Sequence, residues 1–166
     1  AVTGNSNTSL GSYSLNSVTN GLGNTTVGYN TLKQNSDPVE NSAFGFLSLT
    51  NNTGNYNSCF GAETMTAAGS GLANCCMGFS SGASISSGTY NSLYGCQSAQ
   101  ALQSGTSNVV LGALCLPSLI SGSRNICIGT QAASNLTGAE SENILIGNLG
   151  INGESNTIRI GQFNNH

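Results

Sequence analysis

Apolar and polar positions recur along this chain in a fixed phase. The clearest phrase is Gly122-Ser123-Arg124-Asn125-Ile126-Cys127-Ile128-Gly129, of the form G-x-x-N-x-x-apolar-G, and it returns about ten times. The closing glycines are Gly11, Gly28, Gly45, Gly61, Gly78, Gly95, Gly112, Gly129, Gly147 and Gly161, separated by 17, 17, 16, 17, 17, 17, 17, 18 and 14 residues. A near-constant period below 20 residues is the mark of a solenoid, in which each repeat is one coil stacked on the last. The expected fold is therefore all-β: a parallel β-solenoid or β-roll of about ten 17-residue coils, forming one repeat domain over residues 1–166. At ~4.8 Å per stacked strand, ten coils stand on the order of 45–50 Å tall.

Aligning the repeats on the glycine gives columns. The residue before it runs Leu10, Val27, Phe44, Phe60, Met77, Tyr94, Leu111, Ile128, Ile146 and Ile160. An apolar column of this kind reads as solenoid core. Four residues after the glycine, Leu15, Leu32, Leu49, Met65, Gly82, Ala99, Leu116, Ala133 and Ile151 read as the opposite wall, with Ile85 compensating for Gly82. The arm that follows each glycine is expected to be strand, although the spacing of Leu116 and Leu119 also suits a helical turn.

Four residues before the glycine stands asparagine: Asn7, Asn24, Asn41, Asn57, Asn74, Asn91, Asn108, Asn125 and Asn143, with Thr157 in the last repeat. Asparagine tolerates corner geometry, and its amide can bond to copies above and below, so Asn24 to Asn143 are expected to form a structural ladder. A second corner, three residues earlier, is mostly glycine. It is broken by Pro38 in the third repeat and shifts to Gly138 and Gly153 in the last two, near Glu140, Glu142 and Glu154.

Strand side chains alternate faces. If the residue before the glycine points in, its predecessor points out. That outward column, Ala43, Cys59, Cys76, Leu93, Val110, Cys127 and Leu145, is small or apolar throughout. A contiguous apolar row seldom faces water. Cys59, Cys76, Leu93, Val110, Cys127 and Leu145 are accordingly expected at a subunit interface, and repetition makes a cyclic homo-oligomer the simplest partner. Three residues before the glycine, polarity falls from Thr8, Thr25, Ser42 and Ser58 to Val109, Ile126, Ile144 and Ile158, which predicts better-packed C-terminal coils.

Composition narrows the function classes. Only 5% of residues are charged and the net charge is -3, so there is no basic footprint for nucleic acid. Strict phase argues against the disorder that a Gly- and Ser-rich composition alone would suggest. No apolar run is long enough to span a bilayer. No signal peptide stands at Ala1, and the repeat is already in phase at Gly4, which suggests a processed piece of a longer protein.

Most of the six cysteines occupy positions where other coils carry Ser, Ala, Leu or Val, and they read as mostly free thiols of a chain assembled in a reducing compartment. With no C-x-x-C and a single histidine, His166, no metal site is expected, and no cofactor-binding motif occurs. The acids Asp37/Glu40 and Glu140/Glu142 sit in irregular loops; paired across subunits they are the one arrangement that suits a glycosidase, and solvated loop charge is the simpler reading. Four N-x-S/T sequons, at Asn7, Asn24, Asn51 and Asn135, are expected by chance in such a chain.

Asn24-Thr25-Thr26-Val27-Gly28-Tyr29-Asn30-Thr31-Leu32 resembles the head repeats of trimeric autotransporter adhesins. It is still more similar to the repeat stalks of phage and giant-virus fibre proteins that precede a self-cleaving chaperone of the peptidase S74 type. Asn156-Thr157-Ile158-Arg159-Ile160-Gly161 resembles the junction before that chaperone. The resemblance implies a left-handed, trimeric roll on a virion or cell surface, acting as a structural fibre or adhesin with a host glycan or receptor as partner. The cysteine content departs from secreted adhesins and favours a viral fibre assembled in host cytoplasm. The alternatives are a tailspike-like glycan-degrading enzyme and an ice-binding solenoid; the second lacks a continuous threonine row.

Overall fold

The computed structural model describes residues 4–67 and 69–161; His166 lies outside that range. Its ten strands are β1 Thr8–Leu10, β2 Thr25–Val27, β3 Ser42–Phe44, β4 Ser58–Phe60, β5 Cys75–Met77, β6 Ser92–Tyr94, β7 Val109–Leu111, β8 Ile126–Ile128, β9 Ile144–Ile146 and β10 Ile158–Ile160. They form a single parallel sheet in sequence order. Repeat positions pair with themselves, as in Val110↔Cys127 and Cys127↔Leu145. The chain is an all-β solenoid, as the period requires, with no helix among the described residues.

Only three residues per coil are strand. The arm after each glycine, expected to be strand, is a run of turns. Its second and fourth residues adopt left-handed backbone, as at Asn30 (φ 55) and Leu32 (φ 47) or Leu47 (φ 58) and Leu49 (φ 53). Alternating handedness aims successive N–H groups at opposite neighbours. Asn30 N–H donates back to Ser12 O at 3.0 Å, and Leu32 N–H donates forward to Ser48 O at 3.1 Å. The arm thus satisfies its backbone between coils without being a strand. Left-handed L-residues cost about 1–2 kcal/mol each and exclude β-branched side chains most strongly. Up to the arm after Gly129, none of the non-glycine residues at these two positions is Val, Ile or Thr. The closing glycines have a separate reason. A Cβ on Gly28 (φ 136) would lie 2.4 Å from Gly45 O in the next coil, so stacking leaves no room for a side chain.

The interior reverses the expected face. The middle residue of each strand points inward, and its neighbours on either side point outward. Ala43, Cys59, Cys76, Leu93, Val110, Cys127 and Leu145 are all 0% exposed. The predicted interface residues Cys59, Cys76, Leu93, Val110, Cys127 and Leu145 are therefore the core wall, and the predicted core column, Leu10 to Ile160, lies outside. The reason is parity. Asparagine and the mid-strand residue stand two apart, so they share a face, and the asparagines are buried.

Two further columns complete the core. Leu15, Leu32, Leu49, Met65, Ala99, Leu116 and Ala133 are buried as expected. A side chain at Gly82 would sit 2.9 Å from both Ile85 Cδ1 and Leu93 Cδ1, so Ile85 does fill that gap. Ile151 departs from the column and is exposed, because the shortened last repeat gives the left-handed position to Gly150 (φ 73). The third column, seven residues after the glycine, carries Val18, Asn35, Asn52, Ile85, Leu102, Leu119 and Leu136.

Candidate functional site

The asparagine column forms a hydrogen-bonded ladder. Asn91 Nδ2 donates to Asn74 Oδ1 at 3.0 Å and to Gly105 O at 2.9 Å. Its Oδ1 accepts from Asn108 N and Asn108 Nδ2, each at 3.0 Å. Asn57, Asn74, Asn108, Asn125 and Asn143 repeat this arrangement, and Asn24 joins Asn7 at 2.8 Å. Asn41 reaches Asn24 through its backbone N–H at 3.0 Å, and its Nδ2 donates to Gly54 O at 3.1 Å. In the last coil Thr157 retains only the backbone donor to Asn143 Oδ1. From Asn24 to Asn143 each amide is consumed by its neighbours and is buried, so the ladder holds coils together and offers nothing to a ligand.

The outer side of the sheet is the most unusual surface. Two columns face outward there: the residue before the glycine and the one three before it. In β1 to β4 the second column is Thr8, Thr25, Ser42 and Ser58. In β7 to β10 both columns are aliphatic: Val109 and Leu111, Ile126 and Ile128, Ile144 and Ile146, Ile158 and Ile160. Leu111 is 49%, Ile158 68% and Ile160 72% exposed. On β3 and β4 Phe44 and Phe60 stack at 4.7 Å, and between the two ends Cys75 Sγ lies 3.3 Å from the Tyr94 hydroxyl. The opposite arm carries polar side chains such as Ser17, Gln34, Asn51, Ser84, Gln103 and Ser134. The falling polarity three before the glycine therefore lies on the outer face and does not pack the interior.

The acids have structural partners. Glu140 is buried, and its carboxylate accepts from the backbone N–H groups of Gly138 at 2.8 Å, Gly153 at 2.9 Å and Thr137 at 3.4 Å. Burial acts to raise its pKa, but the backbone donors outweigh that and hold it below the usual glutamate value. Glu142 pairs with Arg124 and Glu154 with Arg159. Asp37 Oδ1 accepts from Asn20 Nδ2 at 3.1 Å. Glu140 and Glu142 are thus tied down separately and do not form an acid/base pair aimed at open space.

All six thiols are free. Cys59, Cys76, Cys115 and Cys127 are buried, Cys75 is half-buried and Cys96 exposed. The Cys59 thiol and burial both push Cys76 up, and the Cys115 thiol and burial do the same to Cys127. Protonated thiols in an apolar core act as small apolar filler, not as nucleophiles. Among the described residues no cluster of three or more His, Cys, Asp or Glu is placed to hold a metal ion. No described helix is long and apolar enough to cross a membrane.

Sequence reasoning put the mid-strand column outside, whereas it is buried and the exposed apolar columns are its two neighbours. Burial of the asparagine amides, two residues away, is what fixes which alternate positions point inward. Comparison with protein-family models, with curated proteins and with solved structures finds no match to this chain.

Proposed function

We propose that the chain is a structural module of a surface fibre or adhesin, a rod that associates with further copies of itself through the outer face of its sheet. The observation that carries this reading is the aliphatic surface of β7 to β10, where eight consecutive outward positions are Val, Leu or Ile. Contiguous exposed apolar area of this kind marks an interface, and a repeating face repeated in every copy favours closed cyclic symmetry. The gradient along the face favours parallel copies, because antiparallel packing would set Ile158 against Thr8. The resemblance of the repeats to phage and giant-virus fibre stalks favours three chains, a virion-surface or extracellular location, and host attachment as the purpose. The free, largely buried thiols fit folding in a reducing compartment before display. The stacked coils and the satisfied amide ladder suit a load-bearing rod, and the loop acids Asp37, Glu140, Glu142 and Glu154, held by structural partners, offer little to a glycan-degrading alternative.

The test is the mass of the native particle in reducing solution by light scattering. Three chains of 16.7 kDa give about 50 kDa. A particle that stays monomeric at micromolar concentration overturns the self-association.

A further inference from the structure

Aromatic side chains on adjacent coils close on one another in this solenoid. Tyr29 and Phe46 stack at 5.6 Å with an interplanar angle of 11°, Phe44 and Phe60 at 4.7 Å, and Tyr13 meets Tyr29 edge-on at 5.8 Å. One corner column breaks this habit. The residue before the ladder asparagine is Tyr56 in the fourth coil, Ala73 in the fifth and Tyr90 in the sixth. All three have left-handed backbone, with φ 60, 53 and 58. Their N–H groups donate along the stack to the Val39, Asn55 and Leu72 carbonyls of the preceding coils. Tyr56 and Tyr90 are 51% and 63% exposed. The column is a tyrosine ladder with its middle rung missing, and two coil rises, ~9.6 Å, leave room for one rung between the rings.

We infer that Tyr56, Ala73 and Tyr90 form a slot for one neutral hexopyranose ring. The guest is one ring thick, since the spacing admits a single layer. Its two faces meet aromatic rings, which suits the C–H-rich faces of a pyranose. Two phenolic hydroxyls stand at the rim to bond equatorial hydroxyls, with Asn55 and Thr89 preceding the two tyrosines in the chain. The column contains Glu40 in the coil before Tyr56 and no cation until Arg124, two coils beyond Tyr90, so an acidic sugar is disfavoured. Phe46, Ala62 and Phe79 make a comparable gap at the other edge of the sheet, but they lack hydroxyls, so that gap serves as an internal control. The slot lies ahead of the strands, beside the apolar face and not on it. It names a partner class for the attachment reading and rests on that reading only for its biological purpose.

The experiment is saturation-transfer NMR of the native protein with methyl glycosides of glucose, galactose and mannose, together with the tyrosine ring resonances. At least one glycoside is expected to bind saturably and to shift the Tyr56 and Tyr90 signals. Ala73→Tyr completes the ladder, as Phe46 does on Tyr29, and should weaken binding by about tenfold or more without unfolding the chain. Tyr90→Ala should weaken it about as much, and Ala62→Tyr should leave it unchanged. Absence of saturable binding to all three glycosides, or binding retained in Ala73→Tyr, overturns the slot. A trimer that binds no sugar removes the slot and keeps the rod, whereas a monomer that binds sugar does the reverse.

Discussion

The first four coils and the last four are built on the same repeat and solve different problems. Inside, the N-terminal coils place Asn35 and Asn52 in the third core column, where later coils have Ile85, Leu102, Leu119 and Leu136. Asn35 Oδ1 accepts from Asp37 N and Asn52 Oδ1 from Gly54 N, which leaves Nδ2 of both buried without a partner. Mid-strand residues follow the same trend, from Thr26 and Ala43 to Val110 and Leu145. Outside, Thr25 and Ser42 give way to Ile126 and Ile144. Apolar content thus rises toward the C-terminus on both sides of one sheet. The inner rise stabilises the chain by itself. The outer rise exposes apolar area that only a partner can cover.

The sharpest way to break this comparison is to charge the outer face. Ile126→Asp with Ile144→Asp sets two carboxylates in each copy on the proposed contact. Like charges brought together there cost several kcal/mol, so the particle is expected to fall to a monomer, with a loss of association of at least about 100-fold. Thr25→Asp with Ser42→Asp, on the polar half, should leave the mass unchanged. Equal effects from the two pairs would remove the distinction between the halves.

Next comes the ladder. Asn91→Ala leaves the Gly105 carbonyl and the Asn108 amide without partners in a buried site, for an expected loss of about 3 kcal/mol in denaturant unfolding. Asn7→Ala, at the half-exposed end of the ladder, should cost under about 1 kcal/mol, because water can replace its bonds. Similar losses at the two positions would mean that the ladder does not act through burial.

A smaller change should narrow the difference in packing. Asn35→Leu removes an orphaned buried donor, and the Asp37 N–H it releases lies at an exposed residue. Stability should rise by about 1 kcal/mol, read as slower hydrogen exchange in residues 25–61. In the unaltered chain, exchange should already be slower in residues 92–147 than in residues 8–61, and the reverse order would sink the packing argument.

The most local effect concerns the Glu140 loop and is read by pH. The folded-state pKa of Glu140 is lowered, so its contribution is complete above the usual glutamate pKa, about 4.3, and fades as pH falls through the depressed value. Lowering pH from about 5 should reduce protection from exchange, relative to the intrinsic rate at each pH, at Gly138 and Gly153 before it does so in the central coils. Glu140→Gln should cost about 1–2 kcal/mol at neutral pH and abolish that pH dependence. Loss of that protection at the same pH in both proteins would exclude the carboxylate as its cause.

The chain's own letters determined the period, the parallel stacking and the position of the ladder. A 17-residue phase allows each position only its own copies as neighbours. They also held more than a reading of hydrophobicity extracts. Asn57 and Cys59 stand two apart, so burying the amide carries Cys59 inward; ranking columns by apolarity alone put Phe60 inside instead. The absence of β-branched residues at Leu32 and Leu49 hinted at left-handed backbone, which is why the arm could not be a strand. What only the tertiary structure decided is which alternate face meets water. Period-two alternation sorts residues into two faces and leaves open which one the chain encloses. Enclosure depends on the turning arm, whose hydrogen bonds run between coils and leave no local pattern in the sequence. The same arm decided that Asn35 and Asn52 end in the core while Tyr56 and Tyr90 stand open at a corner.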